Sequence, residues 1–434
     1  MKKSFLGIYS DKRILAVLLL NIAAGIPLAL TASTLTIWLS DVGVDKASIG
    51  LFASVATPYA LKFLWSPLVD VMPLPVFTTL FGQRRGWLIF AQLAVMASIV
   101  GLGMSSPAVN PWNTALFAFL LALSSATQDI AVDAYRVERF KPTEQGPPGA
   151  AAVFGYRVGM LISGAGALFL ASHMSWEATY TIMALIMPLG TLTALMSKEP
   201  EKHKPKKSTK QKKVVEKPFI ERAVIVPFTD FMQRKYWLLI LLFVILYKVG
   251  DALAGFLTGP FLRETGFSKE EIAVIVKTYG FFATIIGTFI GGWMSVKLGI
   301  FRSLVIGGIF QMVSNLVFAW QAVVGHEPWM LIVAITVENF SGGMGSAPFV
   351  AYLSGLCSVG MAATQYALLS SLAAVGRIWL TTPSGAIAES MGWVGYFVFT
   401  TFAAVPGVLM IFVLQQKGVF KTLKDNSKRI KAED

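Results

Sequence analysis

The chain has 434 residues, of which 55% are hydrophobic and only 14% charged, and its mean hydropathy is +0.64. A soluble domain carries about 25% charged residues, and apolar runs of about 20 residues, each long enough to cross a bilayer, recur along the whole length; a soluble enzyme and a soluble domain on a single anchor are both excluded. The net charge of +13 would suggest a nucleic-acid partner in a soluble protein, but here the lysines and arginines lie between the apolar runs, where they mark cytoplasmic loops, and no nucleic acid is expected. Cys357 is the only cysteine, which excludes an internal disulfide. His173, His203 and His326 are scattered and make no metal motif.

The pattern predicts an all-α polytopic membrane protein with twelve spans. The first apolar run, 14–39, follows two lysines but is too long for a signal-peptide core and lacks a small-residue cleavage site, so it reads as a retained helix. Five more spans fall near 47–69, 86–106, 112–135, 149–172 and 175–197. Next comes a stretch, 198–235, with nine lysines between Lys198 and Lys217; it reads as a flexible cytoplasmic linker, with contact to lipid headgroups as the alternative. Six further spans lie near 236–262, 271–296, 302–325, 328–355, 361–388 and 391–415. The expected organisation is a first six-helix bundle (1–197), a basic linker (198–235), a second bundle (236–415) and a basic tail (416–434). Lys and Arg concentrate before the first span and after the even ones, at Arg84, Arg85, Arg136, Arg139, Lys297 and Arg302, which predicts cytoplasmic termini.

The two bundles look like repeats. Arg157 in span 5 corresponds to Arg377 in span 11, and Trp176, Tyr180 and Pro188 in span 6 match the spacing of Trp393, Phe397 and Pro406 in span 12. Two parallel six-helix repeats around a central cavity is a secondary-transporter architecture.

Within span 4, Asp129, Asp133 and Arg136 follow at i, i+4 and i+7 and share one helix face. Ionisable groups inside a membrane face a bundle interior or a watery cavity. A carboxylate in a poorly hydrated cavity favours its protonated form, and a like charge adds to this, so Asp129 and Asp133 are proton-coupling candidates. For Asp133 a structural ion pair with Arg136 or Arg139 is the slightly favoured reading. Gln128, about 100° around the same helix, could bond a sugar or a neighbouring helix.

Lys248 and Asp251 in span 7 stand at i, i+3 and could neutralise each other; Lys248 is also a substrate candidate and Asp251 a proton candidate. Glu338 and Asn339 precede a Ser-Gly-Gly-Met-Gly-Ser-Ala-Pro run ending at Pro348, which permits either a broken helix or tight helix packing. Glu338 is a further proton candidate. Arg157, Arg377 and Lys62 need anionic partners, from substrate carboxylates or from the protein. At the turn after span 2, Asp70 with Arg84 and Arg85 could form a conformational latch, the carboxylate meeting an arginine or a helix terminus. No phosphate-binding loop and no nucleophile–base pair is present, so neither catalysis nor direct ATP drive is expected. No cofactor is expected either, and the energy source is expected to be a proton gradient.

Several motifs resemble the AmpG family of muropeptide permeases, within the major facilitator superfamily. They are Leu64-Trp-Ser-Pro-Leu-Val-Asp70 with Arg84-Arg-Gly-Trp87, Ala126-Thr-Gln-Asp-Ile-Ala-Val-Asp-Ala-Tyr-Arg136, Gly155-Tyr-Arg-Val-Gly-Met160, Leu246-Tyr-Lys-Val-Gly-Asp251, Glu338-Asn-Phe-Ser-Gly-Gly-Met-Gly345 and Ala363-Thr-Gln-Tyr-Ala-Leu-Leu369. The resemblance implies the major facilitator fold and proton-driven import of N-acetylglucosaminyl-1,6-anhydro-N-acetylmuramic acid, with or without stem peptide, across the bacterial inner membrane. Gln128, Asn339 and Gln365 could then bond the sugar-peptide, and Arg157, Arg377 or Lys248 balance its charge. The best-known members of that family have two additional spans, for which 198–235 leaves no room. Acetyl-coenzyme A transporters are relatives, which makes another anionic metabolite the alternative substrate. A sensor that binds cell-wall fragments without moving them is the alternative of a different class, and the short loops argue against it. Lipid and a small anionic sugar-peptide are the expected partners of a monomer.

Overall fold

A computed structural model describes residues 7, 9–44, 52–200, 225–358, 360–381 and 383–420. These form twelve helical segments: α1 (Lys12–Asp41), α2 (53–71), α3 (Gln83–Gly103), α4 (Pro111–Arg139), α5 (Gly146–Ala171), α6 (Trp176–Met196), α7 (Trp237–Glu264), α8 (269–297), α9 (Ile300–Val324), α10 (Pro328–Leu356), α11 (Ala362–Thr381) and α12 (Ser384–Gln416). Eight of them are long and apolar enough to cross a membrane. The other four are α2, broken by a 3₁₀ turn at Lys62–Leu64; α8, which passes through a π turn at Ile275–Tyr279; and α10 and α11, whose polar residues dilute their hydropathy.

Local sequence accounts for the helix ends. Asn110 caps α4 by accepting from the Asn113 amide (3.1 Å), Pro111 opens the helix, and Arg136 and Arg139 lie in its last turn, where cations suit the helix dipole. Span 11 was expected to run to 388, but Pro383 stops it and a separate helical stretch follows; Gly392 (φ 67°, ψ 171°) then bends α12 where the last span was expected to begin.

Small residues set the closest approaches. A methyl group on Gly159 would overlap the Ile22 carbonyl, so α5 sits directly on α1. One on Gly291 would overlap the Met344 carbonyl, and one on Gly343 the Thr284 carbonyl, which brings α8 against α10. Of the two readings of the run ending at Pro348, packing is therefore the one observed: α10 is continuous through it.

The repeat is visible in the packing. Trp176 stacks on Trp38 (5.7 Å between centroids), and the Tyr180 hydroxyl donates to the Leu30 carbonyl (3.1 Å), fixing α6 on α1. In the second half Trp393 packs on Phe261 (5.3 Å), and the Tyr396 hydroxyl donates to the Leu253 carbonyl (2.6 Å), fixing α12 on α7.

The halves meet through α5 against α8 and α10, and through α2 and α4 against α11. Most of the expected linker, 201–224, and the tail residues 421–434 lie outside the described residues. The ends of the linker are not free chain. Glu199 accepts from the Arg84 and Arg85 amides (2.8 and 3.0 Å), and Val226–Met232 is a helix whose Asp230 bonds Ser358 (2.8 Å). Two uncapped amides at the start of α3 and an exposed polar loop before α11 supply partners that linker composition does not reveal.

Candidate substrate and proton site

The halves enclose a cavity of 270 Å³ whose walls include Lys62, Asp129, Asp133, Arg136 and Tyr156 from the first half and Tyr366 from the second. Helical periodicity puts Asp129, Asp133 and Arg136 on one wall, as their spacing predicts. Asp129 makes no hydrogen bond or ion pair among the described residues; its charged surroundings are Lys62 and, one turn on, Asp133. Asp133 accepts from Arg136 Nη2 (3.0 Å), so the ion-pair reading of that residue is met geometrically.

A second charged cluster lies on the other half. The α7 helix is irregular at Tyr247–Lys248, and Lys248 (φ −106°, ψ 5°) leaves the helical path there. Its ammonium donates to Asp251 (3.1 Å) and crosses to α10, to the Ser346 hydroxyl (3.1 Å) and the Gly342 carbonyl (3.4 Å). Glu338 accepts from Asn339 Nδ2 (2.7 Å). Arg157, exposed on α5, lies within electrostatic reach of Glu338 and Asp251 from across the seam. The four carboxylates Asp129, Asp133, Asp251 and Glu338 thus face the four cations Lys62, Arg136, Arg157 and Lys248. This balance is what ionisable groups gathered inside a membrane-spanning bundle require.

Three substrate candidates are placed elsewhere. Gln128 is fully buried and does not line the cavity, because its side of α4 faces packed helices. The Asn339 amide is engaged, accepting from Thr284 Oγ1 (3.0 Å) and donating to Glu338 and to the Ile335 carbonyl (3.0 Å). Gln365 sits in the first turn of α11, donating to Asp230 (2.8 Å) and the Pro227 carbonyl (3.1 Å) and accepting from the Ser358 amide (2.7 Å). The Asn339 and Gln365 amides satisfy inter-helix and helix-end contacts as readily as they would a ligand, whereas the buried Gln128 amide has no hydrogen-bond partner among the described residues. Arg377 lies on α11, and its side chain is outside those described.

Asp70 and Arg84 meet as expected of a latch, and Arg85 does not join them. Asp70 accepts from Arg84 Nη2 (2.7 Å), from the Ala363 and Thr364 amides (3.1 and 2.8 Å) and from the Thr364 hydroxyl (2.6 Å). It therefore holds the N-terminus of α11, where backbone donors and the helix dipole favour an anion. Arg84 also donates to both oxygens of Glu138, which accepts in turn from the Gly360 amide (3.2 Å). The Arg85 guanidinium points the other way and closes the end of α6 at the Ala194 and Leu195 carbonyls (2.8 and 2.7 Å). Glu138, Ser354 and Tyr366 were missed from the sequence. For Glu138 the available signal was that a buried arginine needs a carboxylate on the same membrane face; for the other two no local signal exists.

Residues 17–381 match the family model described as Major Facilitator Superfamily. The anhydromuropeptide permease of Escherichia coli (strain K12) is 38% identical over 428 residues, covering 98% of this chain and 84% of that protein. A Rickettsia felis protein named transporter AmpG 4 is 39% identical over 417 residues, covering 94% of this chain and 98% of its own. Among solved structures, the proton:xylose symporter XylE bound to 6-bromo-6-deoxy-D-glucose aligns with a TM-score of 0.65 at 12% identity, over 92% of this chain and 94% of that one, a likeness of fold. Six helices on each side of a charged central cavity, and two relatives alike over nearly the whole of this chain, place the protein: this multi-pass membrane protein belongs to the AmpG family of the major facilitator superfamily.

Proposed function

We propose that the protein imports anhydromuropeptides across the bacterial inner membrane for peptidoglycan recycling, as a monomer, in symport with protons. The reading rests on the 38% identity to the Escherichia coli anhydromuropeptide permease over 98% of the chain. The charged helix ends that carry Arg84, Arg136 and Arg302 face the cytoplasm. Both termini then lie there too, and the described conformation is the one closed to the cytoplasm.

The cavity chemistry suits such a substrate. With both aspartates ionised, Lys62 and Arg136 balance Asp129 and Asp133. One proton on Asp129, which has no competing hydrogen-bond partner, leaves a net positive wall that attracts a lactyl or stem-peptide carboxylate. At 270 Å³ the cavity lies just below the range of about 300–1,000 Å³ usual for small-molecule sites. It takes one end of a disaccharide-peptide, and the rest lies toward Arg157, Lys248 and Glu338.

Uptake of labelled N-acetylglucosaminyl-anhydro-muramyl tripeptide into proteoliposomes tests the reading. A one-unit inward pH gradient should drive about tenfold accumulation for one coupled proton and about a hundredfold for two, each pH unit being about 1.4 kcal/mol. Equilibration without accumulation would remove the proton. Absence of uptake by folded protein would move the substrate to another anionic metabolite.

A further inference from the structure

Arg136 is fully buried at the wall of the cavity, and its contacts join the two halves. It belongs to α4. Its Nη1 donates to the Ser354 hydroxyl on α10 (2.7 Å), and its guanidinium lies over the Tyr366 ring on α11 (4.9 Å to the centroid). Asp133, on its own helix, holds Nη2 (3.0 Å), while Nε has no partner among the described residues. Ser354 is fixed in turn by its bond to the Val350 carbonyl (2.7 Å). These contacts form a layer distinct from the Asp70–Arg84–Glu138 network. Tyr366 lies beyond the Ala363 and Thr364 amides held by Asp70, and it touches the cavity where those amides do not.

We propose that Arg136 is the inner gate of the cavity: release of its guanidinium from Ser354 and Tyr366 opens the cavity at the end where α4 and α10 finish. The inference rests on the transport reading above, in which the cavity is closed to the cytoplasm and must open there to release substrate. A charge-assisted hydrogen bond and a desolvated cation–π contact are each strong enough to hold two surfaces together and weak enough to be exchanged. Asp133, partly exposed to the cavity, keeps the released guanidinium from being stranded without a counter-charge. Arg136 is thus a positioning residue, acting on the equilibrium between closed and open forms.

The single cysteine supplies the test. Cys357 lies one turn beyond Ser354 at the end of α10, half-buried, with its thiol donating to the Leu353 carbonyl (3.3 Å). Separation of α4 from α10 and α11 uncovers it. The rate of N-ethylmaleimide labelling of the full-length purified protein therefore reads opening without any transport assay, so failure of the gate and failure of the transport reading are distinguishable. Ser354→Ala and Tyr366→Leu should each raise the labelling rate about tenfold, equivalent to about 1.4 kcal/mol. Arg136→Lys should fall between wild type and Arg136→Gln. Tyr366 and Arg136 both lie within electrostatic reach of Cys357, so labelling is compared as the pH-independent rate constant of the thiolate, which separates opening from a local change in thiol reactivity. If Ser354→Ala and Tyr366→Leu are both folded by size-exclusion chromatography and both label at the wild-type rate, Arg136 is not the gate. The same conclusion follows if they lose uptake while labelling is unchanged.

Discussion

Asp70 and Thr364 are joined across the two halves by two hydrogen bonds, 2.8 Å from the backbone amide and 2.6 Å from the hydroxyl. Asp70 is 1% exposed and Arg84 4% exposed, so neither charge is screened by water. Removing the Asp70 charge leaves Arg84 with Glu138, but the Ala363 and Thr364 donors at the start of α11 lose their charged acceptor, at about 1–3 kcal/mol. Asp70→Asn should therefore lower the melting temperature in detergent and reduce uptake more than tenfold. Arg85→Ala, which affects only the end of α6, should change stability by about 1 kcal/mol and leave uptake within a few-fold of wild type. Equal effects of the two variants on uptake would show that the latch does not run through Asp70.

Asp129 and Asp133 should separate by function. Asp129→Asn is expected to abolish gradient-driven accumulation while retaining exchange of labelled for unlabelled substrate, because the cavity keeps its shape and its cations. Asp133→Asn removes the partner of a fully buried arginine and should impair exchange and accumulation together. Accumulation by Asp129→Asn at wild-type levels would remove that residue from proton coupling.

Paired hydroxyls test the repeat energetically. Tyr180 and Tyr396 are each fully buried and each donate to a carbonyl on the first helix of their own half. Tyr180→Phe and Tyr396→Phe should each cost about 0.5–1.5 kcal/mol. The two losses should be additive within about 0.5 kcal/mol, because the sites share no partner. Thermal unfolding of the single and double variants measures this; strong non-additivity would mean the halves do not unfold independently at these sites.

What the sequence made legible follows the range of the interactions. Twelve helices and the local pairs Asp133–Arg136 and Lys248–Asp251 depend on periodicity and i, i+3 spacing, and the structure has them; of the matched halves Trp176 and Trp393 correspond as expected, while the counterpart of Tyr180 is Tyr396 and not Phe397. Partners more than one helix away were not legible. Adjacent arginines at 84 and 85 point about 100° apart, so one entered the latch and the other closed α6, a choice that only the placement of α2 and α6 decides. The amides of Gln128, Asn339 and Gln365 gave no sign of which polar groups their neighbours would present. The glycine run before Pro348 was ambiguous because the same small residues permit a break and a close contact, and the position of α8 decided between them.

Lys248 and Asp251 give the sharpest test of how charge is held in the second half. The ammonium reaches Asp251 on its own helix and Ser346 and Gly342 on α10, so it ties α7 to α10 while neutralising the carboxylate. Lys248→Met leaves Asp251 with a half-buried, unbalanced charge and should be destabilising. Asp251→Asn in the same background removes that charge, and replacing a buried ion pair by neutral groups is often close to neutral for stability. The double variant should therefore melt above the Lys248→Met single variant, recovering most of the loss. Transport distinguishes a structural from a substrate-contacting lysine. If Lys248 only ties the helices, the stabilised double variant regains uptake with its KM near wild type. If the ammonium also meets a substrate carboxylate, stability returns while KM stays at least tenfold higher, the equivalent of losing about 1.4 kcal/mol of binding.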